Sequence, residues 1–150
     1  MDYAADTLAG GFNITPGCTL AFVATNPNFG NVAVTASHCS PTLWSQDTNT
    51  VFQPWNSSNA IGHEVQDPWP GTCPLLWACN RYRYSDADMI GLNSGVIIRK
   101  GFLARPEDRT TGHAGSTLID GSNPWLTVTG GNTAGVISGE MMDHIGRTTG

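Results

Sequence analysis

The segment Val34-Thr35-Ala36-Ser37-His38-Cys39 carries a run of β-forming residues into a histidine followed at once by a cysteine. A histidine at such a strand end suits proton transfer. A general base must be held within about 3 Å of its partner, in one tautomer, and a pinned backbone supplies that restraint. The same imidazole also fits a surface position or a metal site, the commoner uses of histidine. Cys39 is the expected source of the pinning. Together with Cys18, Cys73 and Cys79 it makes an even set of 4 cysteines with no C-x-x-C pair, a pattern that favours disulfides in an oxidising compartment over a zinc site. Three pairings are open, and the sequence-local one, Cys18 with Cys39 and Cys73 with Cys79, is favoured; four buried thiols are the alternative.

The elements that must position this segment read as short strands. Thr19 to Thr25 and Asn31 to Ala36 flank Asn26-Pro27-Asn28-Phe29-Gly30, whose residue types supply turn dihedrals, so a hairpin is predicted there. Further strands are predicted at Thr50 to Gln53, Ala60 to Val65, Met89 to Leu92, Val96 to Arg99, Trp125 to Thr129, Ala134 to Ser138 and Met141 to Ile145. No apolar stripe of helical period runs beyond about two turns. The expectation is an all-β barrel or sandwich. Asp67 to Asn80 is a loop rich in Pro and Trp, and Gly101 to Gly112 holds the densest charge in the chain.

Composition narrows the function classes. The chain has 150 residues and a net charge of −5, and only 13% of it is charged, about half the ~25% usual for soluble domains. Lys and Arg together number 7 and form no stripe that could track a phosphate backbone, so nucleic acid is not an expected partner. No apolar run approaches the ~20 residues of a membrane helix. Residues 1–11 have neither a basic start nor an apolar stretch, and do not read as an export signal.

The run Cys18-Thr19-Leu20-Ala21-Phe22, followed by Thr35-Ala36-Ser37-His38-Cys39, resembles the opening of the trypsin-like (chymotrypsin-fold) serine peptidases, particularly their secreted microbial members. The resemblance implies His38 as general base, with Cys18 and Cys39 as its flanking disulfide. It also requires a carboxylate on the imidazole Nδ1 to fix the tautomer and stabilise the imidazolium. Tyr84-Ser85-Asp86-Ala87-Asp88-Met89-Ile90 offers two, Asp86 in the position that matches the family pattern and Asp88 as the runner-up where the family usually has a small apolar residue.

A nucleophile in a G-D-S-G-type loop does not follow. Ser94 comes too soon after Asp86 for the family's chain order, Ser138 lacks the preceding Gly-Asp, and Ser122 follows Asp-Gly instead. Ile145-Gly146-Arg147-Thr148-Thr149-Gly150 resembles a second-barrel segment that precedes the serine loop. The resemblance therefore implies a double β-barrel with its first barrel at residues 1–100, a connection at 101–112 and the start of an incomplete second barrel at 113–150. It implies a secreted, extracellular serine endopeptidase acting on protein or peptide substrates. Without nucleophile and oxyanion hole, the 150-residue chain by itself is expected to be inactive, the missing C-terminal part of its own domain being required.

Two rivals stand beside this reading: a non-catalytic, protease-like extracellular binding module, and an all-β binding domain in which the T-A-S-H-C string is fortuitous. No metal or cofactor is expected, since His63, His113 and His144 are scattered among polar residues. Asn13-Ile14-Thr15 and Asn56-Ser57-Ser58 are glycosylation sequons in a eukaryotic secretory context. The 5 tryptophans read as packing residues rather than as a sugar platform.

Overall fold

A computed structural model describes residues 7–42, 48–54, 58–67, 85–108 and 118–131. Its strands are β1 (Thr7–Gly10), β2 (Asn13–Ile14), β3 (Cys18–Thr19), β4 (Phe22–Asn26) and β5 (Gly30–Thr35), then β6 (Thr50–Phe52), β7 (Ala60–Gln66), β8 (Asp88–Leu92), β9 (Ile97–Ala104) and β10 (Trp125–Thr127). Apart from a 3₁₀ turn at Ser37–Cys39, the described residues contain no helix, and so none long and apolar enough to cross a membrane. The protein is all-β.

The predicted hairpin is β4–β5, with Phe22 opposite Val34 and Asn26 opposite Gly30. Its turn is closed by the side chain of Asn26, whose Oδ1 accepts from the Asn28 N–H at 2.8 Å and the Phe29 N–H at 3.3 Å. Gly30 then takes φ of 71°, a left-handed value that a side chain would resist. From this hairpin a five-stranded antiparallel sheet grows in the order β4-β5-β8-β7-β6. A second sheet runs β1-β9-β10, and β2 with β3 makes a small third one. These sheets are open, and no closed barrel is formed among the described residues.

The stretch predicted as one strand from Thr19 to Thr25 is divided, because the chain changes partners inside it. The Leu20 N–H donates to the Phe12 carbonyl at 2.8 Å, and one residue later the Ala21 N–H donates to Val34 at 2.7 Å. Leu20 itself is fully buried at this crossing. Residues 101–104, predicted to open the inter-lobe connection, instead continue β9 through Gly101, whose φ is 76°. The strands predicted at Ala134 to Ser138 and Met141 to Ile145 lie outside the described residues.

One hydrophobic core joins the sheets: Leu8, Ala9, Phe12, Ile14, Leu20, Val23, Ala33, Val51, Ile61 and Ile90. A row of paired residues runs across the large sheet from Val23 through Ala33 and Ile90 to Glu64, all of them buried. Fully burying a side chain such as Ile90 stabilises the fold by roughly 1.5–3 kcal/mol. Trp125 of β10 packs edge-on against Phe12 and Phe102, and the Arg99 guanidinium lies 4.2 Å over the Phe102 ring. The region after the charged segment is thereby tied to the N-terminal strands.

Candidate active site

Strand β5 ends at Thr35 because the next residues must leave the sheet to enter the 3₁₀ turn. The turn is closed by the Cys39 N–H on Ala36 O at 3.0 Å and the Ser40 N–H on Ser37 O at 3.1 Å. Cys39 is bonded to Cys18 beside β5, with Cα atoms 6.0 Å apart. Thr35 adds a further tie to the same neighbour, its hydroxyl donating to the Thr19 carbonyl at 2.9 Å.

Asp86 approaches this turn from the start of β8. Its Oδ1 accepts from the backbone N–H of His38 at 3.0 Å, and its Oδ2 lies 2.5 Å from the imidazole Nδ1 of the same residue. One carboxylate thus fixes both the main chain and the ring of His38. An ionised carboxylate only accepts, so in the neutral imidazole the ring proton sits on Nδ1 and Nε2, on the opposite edge, carries the lone pair. The side chains are 67% and 54% exposed, so their attraction is screened by water and contributes little to stability. Its effect is orientation. The arrangement is an exposed imidazole held at its backbone and its Nδ1 edge by one carboxylate.

Asp88 has a different place. It is buried opposite Thr35 in the β5–β8 ladder and, with Glu64 of β7 and Cys39 of the turn, lines a cavity of about 80 Å³. Of the two aspartates named from sequence, the structure therefore brings Asp86, and not Asp88, onto His38.

Cys18 and Cys39 form the favoured disulfide; Cys73 and Cys79 lie outside the described residues. The sulfurs of Cys18 and Cys39 and a ring nitrogen of His38 are within 4.8 Å of one another, but sulfurs joined in a disulfide offer no thiolate to a metal. His63 lies exposed on β7, away from this group, while His113 and His144 are not among the described residues. Ser94 sits in the turn between β8 and β9, and Ser122 donates its hydroxyl to Asp120 at 2.6 Å. Among the described residues no serine hydroxyl is hydrogen-bonded to the His38 ring.

Sequence reasoning did not single out one buried contact at the site. Ser37, fully buried, donates its hydroxyl to Oδ1 of Asp67 at 2.6 Å. The partners stand far apart in the chain, and no local signal links them.

Compared with protein-family models, with curated proteins and with solved structures, the chain has no match. The protein is thus defined by its own structure: an all-β chain whose disulfide-pinned turn presents a carboxylate-oriented histidine.

Proposed function

We propose that the chain is the N-terminal portion of a secreted, trypsin-like serine endopeptidase, with His38 as its general base and Asp86 as the group that orients it. The observation supporting this reading most directly is the two-point hold of Asp86 on His38. The T-A-S-H-C resemblance adds to it, as does the Cys18–Cys39 bond beside the base, a bond that suits an oxidising compartment. The proposal carries with it the double β-barrel, of which the described sheets would supply the first barrel and the opening of the second.

In the proposed reaction a serine supplied by sequence outside these 150 residues attacks the scissile carbonyl carbon while Nε2 of His38 takes its hydroxyl proton. The C–N bond then breaks as the imidazolium returns that proton to the leaving amine, and an acyl-enzyme remains. Water repeats the sequence: its proton passes to Nε2, the acyl ester bond breaks, and the proton returns to the serine oxygen. Asp86 stays ionised throughout and stabilises the imidazolium.

The test begins with the coding DNA, read past the codon for Gly150. The expected result is a Gly-Asp-Ser-Gly-type segment, and an extended protein that hydrolyses casein and loses that activity on His38→Ala. An extended frame without such a serine would sink the reading and leave a protease-like module whose role is binding, and hydrolysis that survives His38→Ala would sink it by removing His38 as the base.

A further inference from the structure

We propose that Asp67 is a positioning residue for His38, acting through Ser37; the inference rests on the general-base reading above. Asp67 immediately follows β7, and Asp86 closely precedes β8. The two carboxylates hold successive residues of one short turn, Asp67 the hydroxyl of Ser37 and Asp86 the backbone and ring of His38. With Cys39 tied to Cys18, each of the three residues of the turn has its own tether.

These tethers differ in their surroundings. The Asp86 contact is open to water, whereas Ser37 is 0% and Asp67 7% exposed. A hydrogen bond shielded from water is electrostatically the stronger of the two kinds. The exposed bond selects the tautomer, but only if the turn delivers His38 at the right height and rotation. That delivery falls to the buried pair. Ser37 lies outside every strand, so loss of its bond to Asp67 would let the turn shift against the Asp86 carboxylate without disturbing the sheet pairing.

The experiment reads the ring nitrogens of His38 directly, by long-range ¹H–¹⁵N correlation on the protein expressed from its full reading frame. The unsubstituted chain is expected to hold the Nδ1–H tautomer. Asp67→Ala and Ser37→Ala are each expected to shift the tautomer ratio toward Nε2–H by roughly three- to tenfold, the factor one hydrogen bond is worth. Asp67→Asn, which keeps an acceptor oxygen for the Ser37 hydroxyl, is expected to retain the original ratio. Ile61→Val, a loss of packing elsewhere in the core, should leave it unmoved.

The inference is overturned if the folded variants keep the original ratio, or if Ile61→Val moves it as far. Should Asp67→Ala fail to fold by far-UV circular dichroism, Ser37→Ala decides the matter from the other end of the bond. The outcome is separate from the peptidase reading, which stands or falls on hydrolysis by the extended protein.

Discussion

Asp88 faces Thr35 across the β5–β8 ladder, and that register is what delivers Asp86 to His38. The pairing is antiparallel, so continuing it two residues beyond both strands sets Asp86 against Ser37, one position from the histidine it holds. A slip of one residue would turn every side chain of β8 to the other face and carry the carboxylate away. The site is thus a product of the sheet, and the buried row through Ala33 and Ile90 guards its register.

The first prediction concerns that carboxylate. In the extended protein, Asp86→Asn is expected to lower kcat roughly ten-thousandfold, because an amide that donates to Nδ1 leaves the wrong tautomer. Asp88→Asn, away from the imidazole, should change kcat by less than about tenfold. Steady-state hydrolysis of a chromogenic peptide distinguishes the two positions; a larger loss for Asp88→Asn would reverse the assignment, and equal losses would overturn it.

Removing the disulfide should unfold the turn's support before it alters the sheet. Cys18 and Cys39 are 21 residues apart, a loop whose closure is worth about 3 kcal/mol on the chain-entropy model. Cys18→Ala with Cys39→Ala is therefore expected to lower the urea midpoint by that much in free energy. An unchanged midpoint would show that the bond contributes no stability.

Gly62 is a place where a methyl group cannot go. A Cβ there would be driven into the backbone carbonyl of Gly91 on the neighbouring strand, which has no side-chain freedom with which to yield. Gly62→Ala should cost roughly 2–3 kcal/mol, as overpacked cores do. Gly121 faces open space, and Gly121→Ala should stay within about 0.5 kcal/mol of the parent. Paired denaturation curves check both.

The turn just before β10 should respond to acid. The Ser122 hydroxyl, then the Ser122 and Asn123 amides, and with them the Arg105 guanidinium, hold the Asp120 carboxyl below its ordinary value of 3.8. A carboxyl lowered by folding lends stability that is present above its ordinary value and lost as pH falls through the lowered one. A carboxyl-detected titration should place the Asp120 midpoint below 3.8, and Ser122→Ala should raise it. A midpoint indifferent to Ser122→Ala would assign the shift elsewhere.

Legibility in the sequence followed the range of the interactions. The β4–β5 hairpin was readable because Asn26 and Gly30 state its turn locally, and Ala60 to Val65 and Met89 to Leu92 because they are short β-like runs set between turn residues. Strand β1 was not, since Thr7 pairs with Ile97 and nothing near Thr7 announces that partner. At the site, His38 and Cys39 stood out through their adjacency and through a family resemblance. Asp67 did not, because its bond to Ser37 spans 30 residues and a buried serine looks, in sequence, like any other.

The parallel pairing of β1 with β9 also sets an order of events at the ribosome. Leu8 meets Ile98, and Gly10 meets Leu103, so β1 waits for a partner made long after it. At translation rates of about 5–20 residues per second, roughly 5 to 20 s pass in between. Throughout that interval Leu8, Ala9 and Phe12, all buried in the finished protein, have no β9 to lie against. The nascent chain therefore carries these apolar side chains without their partner strand until β9 has been made through Ala104.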